Sequence, residues 1–234
     1  MFFRRYYTEK YTEQQLEAEK KIFRHSLLIA LFVIIAVWIV FLAQEVYRFD
    51  YWELGIYPLK WKGLAGILTS PFVHGGYRHI GANTLPLFLL TLSLFYFYRN
   101  IAYSIFALIY ICSGICVWLL ARGSWHIGAS GLIYGLASFL ILSGIIRNNS
   151  RLLTISLVVV MIYGGIFWGV LPLKPEISWE SHLWGTVSGV IFAIVFRNYG
   201  PPTKIWEWND EEELDEVPEE NNVDEAINSF LRPE

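Results

Sequence analysis

Seventeen apolar residues follow one another without a break from Leu27 to Ala43. A run of that length is enough for one membrane-spanning helix. Further apolar blocks follow at roughly Phe72–Tyr98, Ile101–Ala121, Ile127–Ile146, Leu152–Val170 and Ser181–Phe196. Charged residues punctuate them: Arg99, Arg122, Arg147 and Arg197 each stand at the end of a block. The pattern predicts an all-α membrane protein with six transmembrane helices. Composition agrees: 17% of the residues are charged, against about 25% in a soluble domain.

Three regions are expected. Residues 1–25 form a polar segment in which Arg4, Arg5, Lys10, Lys20, Lys21 and Arg24 alternate with acids. This segment is too long and too acidic for the leading part of a signal peptide, and it reads as cytoplasmic and partly helical near the membrane. Residues 26–199 form the six-helix core. Residues 200–234 form a tail in which Glu207–Glu225 holds eleven acidic residues, as in a disordered, solvated segment. Six spans put both termini on one side. That side receives Lys20, Lys21, Arg24, Arg99, Arg147, Arg151, Arg197 and Lys204, and the excess of Lys and Arg makes it the cytoplasm. The aromatic-rich stretch from Gln44 to Gly63 suits a loop lying in the membrane interface.

Polar groups inside spans are costly and mark functional sites. Four stand out: His79, Asn83, Ser130 and His182. Spans two, four and six all run from outside to inside and end in an Arg. Counting up from those arginines at about 1.5 Å per residue places His79, Asn83, Ser130 and His182 at roughly 30, 24, 26 and 22 Å. They therefore share one level, in the outer third of a core about 30 Å thick. Small residues lie on the same helices. Gly131 and Gly135 follow Ser130, and Gly185 and Gly189 follow His182 at three and seven residues. Such spacing lets two membrane helices approach closely, as a Ser–His hydrogen bond requires.

The chemistry this suggests is nucleophilic. A serine hydroxyl attacks only when a neighbouring base takes its proton, and His182 supplies an imidazole of suitable basicity. No Asp or Glu falls within the predicted spans, which argues for a dyad whose ring is held by packing. Tyr134, four residues after Ser130, is placed to pack on that ring. His79 and Asn83, at i and i+4, present two donors for an oxyanion, and the Ser130 amide a third. His25, His74 and His126 read as structural or interfacial. Cys112 and Cys116 read as buried small hydrophobes. His74 and His79 are five apart, not the four of a helical zinc pair, so no metal is expected.

These residues resemble the rhomboid family of intramembrane serine proteases. The likeness rests on Gly128-Ala129-Ser130-Gly131, on His79-x-x-x-Asn83 preceded by His74-Gly75-Gly76, and on Ser181-His182-x-x-Gly185-x-x-x-Gly189. It implies a six-helix rhomboid-type bundle with Ser130 and His182 as the dyad. It also implies an oxyanion site of His79, Asn83 and the Ser130 amide, with Tyr134 beside the histidine and Gly128, Gly131, Gly185 and Gly189 in support. Family members cleave other membrane proteins in or next to a transmembrane segment without cofactor or metal. Transmembrane substrates and the lipid bilayer are therefore the expected partners and nucleic acid is not, with the site opening to the extracytoplasmic side of a cell membrane. The oligomeric state stays open. Trp61-Lys62 stands where Trp-Arg is often found in the first external loop, and Ser181 stands where Ala is common. Two rivals remain: a proteolytically inactive relative that binds membrane-protein clients, and a small transporter. The first would be expected to lack the nucleophile or base. The second would need polar residues continuing to the inner side.

Overall fold

The structure, a computed structural model, describes residues 12–47, 50–163, 169–171 and 178–200. The acidic tail and residues 172–177, within the stretch from Leu171 to Glu180 that the sequence predicts as a loop, lie outside the described residues. Within them the fold is all-α. Seven helices are described: α1 Glu13–Tyr47, α2 Gly66–Thr69, α3 Tyr77–Phe97, α4 Ala102–Leu120, α5 Ser130–Ile146, α6 Ser150–Tyr163 and α7 Trp179–Val195. Single 3-10 turns at Tyr51–Leu54, Trp61–Gly63 and Ser70–Phe72 flank α2.

α1 is longer than the apolar run that announces it. Its 35 residues span about 52 Å, well beyond the hydrocarbon core. Thr12 and Gln15 form its capping box: the Thr12 amide donates to Gln15 Oε1 at 2.8 Å, and the Gln15 amide to Thr12 Oγ1 at 3.3 Å. The charged turns before Leu27 are tied to the neighbouring helices by Tyr96 Oη donating to Glu19 at 2.9 Å and by a Tyr103–His25 hydrogen bond of 3.0 Å.

Among the described residues, α1, α3 and α4 are long and apolar enough to cross a membrane, and Ser130–Ile146 and Ser150–Met161 are shorter apolar helices. α5 and α7 have 17 residues each, about 25 Å. Spans two and four as predicted overstate the helical part where α3 and α5 begin, whereas α7 starts two residues before the predicted Ser181. Phe72–Gly76 and Ile127–Ala129 are not α-helical, and α3 and α5 start at Tyr77 and Ser130. At both places a glycine with positive φ, Gly76 at 148° and Gly128 at 104°, breaks the helix.

α5 is the central helix. Every residue from Ser130 to Ala137 is buried, as expected for a helix that is apolar all round. α7, α6, α3 and α4 pack around it, and α1 packs on α3. The α5–α7 seam is the closest. A Cβ on Gly185 would lie 2.0 Å from the Gly131 carbonyl oxygen, and one on Gly189 would lie 2.1 Å from that of Gly135. Ser138 Oγ adds an interhelical hydrogen bond to the Thr186 carbonyl at 3.1 Å. In lipid, helices gain nothing by burying apolar area against each other, so backbone proximity and bonds of this kind supply the association.

The seam makes a contrast measurable. Gly185→Ala drives a methyl into a backbone oxygen and is expected to cost about 1–3 kcal/mol. Gly81→Ala, on α3 with nothing within 4 Å of the new carbon, is expected to be neutral or stabilising by up to about 1 kcal/mol. Thermal melts of the two purified variants in one detergent check the pair.

Candidate active site

Ser130 is the first residue of α5 and His182 lies in the first turn of α7. The glycine seam just inside them sets their separation. Ser130 Oγ and His182 Nε2 are 2.8 Å apart, and both residues are buried, at 5% and 7% exposure. The other ring nitrogen is also engaged: His182 Nδ1 is 2.7 Å from the Gly169 carbonyl oxygen. A carbonyl only accepts, so Nδ1 carries the proton. Nε2 is then the acceptor, and the serine hydroxyl donates to it. The ring of Tyr134 stacks on that of His182 with centroids 4.1 Å apart and planes 3° from parallel.

Sequence reasoning missed Gly169. It expected the imidazole to be held by packing, and the ring is held by a backbone hydrogen bond as well. A Cβ at Gly169 would lie 1.9 Å from Tyr134 Oη and 2.9 Å from His182 Nδ1, so the carbonyl reaches the ring because the residue has no side chain.

His79 and Asn83 stand on α3. Both flank Gly128: a Cβ there would sit 2.7 Å from His79 Nε2 and 3.8 Å from Asn83 Nδ2. The Gly75 amide donates to His79 Nδ1 at 3.4 Å, which leaves Nε2 as the protonated nitrogen, on the Gly128 side. His74, read as a structural histidine, belongs to this group. It is buried, and its Nδ1 donates to the Phe72 carbonyl at 3.3 Å. Its Nε2 receives an N–H of Asn83 at 3.0 Å and the Ala129 amide at 3.5 Å. His74 therefore orients the Asn83 amide and ties it to the chain entering α5. The Gln44 side chain of α1 donates to the His74 carbonyl at 3.0 Å. The Gly76 break explains why spacing along a helix could not place His74: it precedes the helix that carries His79.

One acid needs correction. The sequence predicts Glu180 in the loop before the sixth span. The residue lies in the first turn of α7 and is buried. It does not hydrogen-bond the imidazole, whose Nδ1 is taken by Gly169. Its carboxylate faces Arg122, 3.2 Å away.

If this assignment holds, nitrogen-15 spectra of histidine-labelled protein show His182 with a protonated Nδ1 and an unprotonated Nε2. The opposite tautomer would remove the acceptor that faces Ser130.

A family model for the Rhomboid domain matches residues 61–199, a span that runs from the loop before α2 to just past α7. An uncharacterized protein of Mycobacterium tuberculosis is 38% identical over 154 residues, covering 59% of this chain and 62% of the relative. An uncharacterized protein of Mycobacterium bovis matches equally, and one of Mycobacterium leprae is 35% identical over 149 residues, 59% of each chain. The chain thus spans about three-fifths of the length of these relatives. The domain match takes in more than half of the chain and all of Ser130, His182, His74, His79, Asn83 and Tyr134, and on it the chain belongs to the rhomboid family.

Proposed function

We propose that this protein is an intramembrane serine endopeptidase that cleaves other membrane proteins in or beside a transmembrane segment. The observation that carries the reading is the buried hydrogen bond of 2.8 Å from Ser130 Oγ to His182 Nε2, with the far ring nitrogen tied to Gly169. In the first step Nε2 takes the hydroxyl proton as the serine oxygen attacks the scissile carbonyl. The oxygen that becomes negative is met by N–H donors: the Ser130 amide at the start of α5, His79 Nε2 and the Asn83 amide. The protonated His182 then gives its proton to the leaving amine. Water hydrolyses the acyl-enzyme by the same exchange in reverse. Tyr134 limits the ring to one plane, which keeps Nε2 aimed at the hydroxyl.

Topology completes the proposal. The termini lie in the cytoplasm, the core of residues 26–199 crosses the membrane six times, and the site opens toward the extracytoplasmic side. The excess of Lys and Arg on the side of the termini supports this orientation. α5 and α7 begin at the site, so a reacting peptide would meet their N-terminal ends, where free N–H groups and the helix dipole favour a developing anion.

Reconstituted with a single-span reporter, Ser130→Ala and His182→Ala are each expected to lower kcat by about a thousandfold or more. Retained melting temperature would show both variants folded, and full cleavage by either would refute the dyad. His79→Ala and Asn83→Ala, which remove one donor each, are expected to cost about a hundred- to a thousandfold in kcat. The same assay measures them. An effect confined to KM would place these residues in ground-state binding instead.

A further inference from the structure

A second polar cluster lies beside the dyad and takes no part in the steps above. It joins the loop between α4 and α5 to the start of α7. Arg122 Nε is 3.2 Å from Glu180 Oε1, and the glutamate side chain keeps only 4% of its surface exposed. Behind this pair runs a chain of hydrogen bonds. His126 Nε2 lies 3.1 Å from the Arg122 carbonyl oxygen and must donate to it. His126 Nδ1 is then an acceptor, and Ser178 Oγ donates to it at 2.5 Å. Ser178 Oγ in turn accepts from Ser181 Oγ at 2.6 Å. Burial lowers the His126 pKa below the usual histidine value, consistent with an unprotonated Nδ1. The chain closes on itself, since Ser181 is the neighbour of Glu180.

Three features say that this cluster fixes a position. Ser178 stands at the N-cap of α7, where serine usually bonds the first turn of its own helix. It makes no such bond and spends its hydroxyl on His126. The loop it reaches is anchored, because Ile56 and His126 exchange both backbone hydrogen bonds, at 2.9 and 2.8 Å. The residue that follows Glu180 and Ser181 is Ser130's partner, His182.

We propose that Arg122, Glu180, His126, Ser178 and Ser181 form a latch that positions His182 against Ser130, a role that rests on the peptidase reading. The glycine seam reaches the start of α7, where a Cβ on Gly131 would lie 3.1 Å from the Ser181 carbonyl oxygen, but such a contact limits approach and does not resist a pivot of α7 away from α5. Gly185 is three residues inside His182, about 4.5 Å along the axis. A pivot of roughly 10° at Gly185 moves the level of His182 by about 0.8 Å, enough to break a hydrogen bond of 2.8 Å. Displacement of about 1 Å can cost a hundredfold in rate. The latch removes that freedom by tying the two residues before the histidine, and the helix cap, to a fixed loop. These are positioning residues: none touches the reacting atoms.

The test uses the full chain in proteoliposomes, with two readouts. One is kcat and KM on a single-span reporter. The other is the rate at which a fluorophosphonate probe labels Ser130, which needs the dyad but no docked transmembrane substrate. Arg122→Ala and Ser178→Ala are expected to lower kcat and the labelling rate by a similar factor, about tenfold to a hundredfold, with KM within about twofold. Arg122→Lys, which keeps the charge, and Ser178→Thr, which keeps the hydroxyl, are expected to recover most of the loss. Should Arg122→Ala not fold, Glu180→Gln replaces it, since it removes the buried charge at constant shape and leaves Arg122 half-exposed. Wild-type kcat and labelling in folded Arg122→Ala and Ser178→Ala, beside an unlabelled Ser130→Ala control, would overturn the latch and leave the peptidase reading standing. A loss that Lys or Thr does not recover, and that tracks the melting temperature, would reduce the cluster to a structural role and overturn it too. A wild-type chain that neither labels nor cleaves would overturn the peptidase reading, and the latch with it.

Discussion

The close approach of α5 and α7 is the constraint from which the site follows. A backbone carbonyl of α5 occupies the space a side chain on α7 would need, twice, at Gly131–Gly185 and at Gly135–Gly189. Two helices carrying ordinary side chains pack with axes about 8–10 Å apart; the glycines bring α5 and α7 into backbone contact, and where that contact stops fixes how a serine on one faces a histidine on the other. Because lipid competes with protein for apolar surface, this approach rests on shape and on a few polar bonds such as Ser138 to Thr186. The same glycines that let the helices touch therefore set the distance on which the proposed chemistry depends.

Polar groups gathered in a buried place must satisfy one another, and here they do so in a way that fixes orientation. His182 is held on three sides: by Ser130, by the Gly169 carbonyl and by the Tyr134 ring. Asn83 is held by His74, and His74 by Phe72, Ala129 and Gln44. A backbone carbonyl or amide is a rigid partner, so each such bond restricts a side chain more than another mobile side chain would. The N-terminal ends of α3, α5 and α7 meet at this level. The site is assembled where helices begin, and the short non-helical stretches at Phe72–Gly76 and Ile127–Ala129 bring the extra groups in.

Much of this was legible in the sequence. Uninterrupted apolar runs, glycines at intervals of four and four polar residues at one depth are local signals, and each depends on one helix at a time. What escaped notice depends on contacts between segments. His74 is separated from its partners by a chain reversal at Gly76, so helical-face arithmetic does not apply to it. Gly169 acts through its carbonyl and its missing side chain, neither of which a residue type announces. Glu180 escapes a span prediction because an acid at the edge of an apolar block reads as loop. Its partner Arg122 lies 58 residues away in sequence, with no pattern to link them. The charged first turns of α1 are readable only in part. The Thr12–Gln15 capping box is a recognisable start signal, but it precedes a charged stretch without apolar period.

Glu180 bears on how such a site can work. In a serine–histidine–acid arrangement the carboxylate fixes the tautomer and stabilises the imidazolium that forms during reaction. Here an acid lies two residues from the imidazole and faces an arginine instead. The proton on Nδ1 goes to a neutral carbonyl, which can fix the tautomer but offers a dipole where a triad offers a full charge. On the proposed reading the imidazolium is then less stabilised than in a triad. The burden moves to the groups facing the oxyanion, which lie in a buried setting where each hydrogen bond counts for more than in water. An arrangement of this kind tolerates little misalignment, because donors and ring must be in place before the substrate arrives. The restraints around His182 and Asn83 supply that order, and they come from backbone atoms and from the ends of helices already packed against each other.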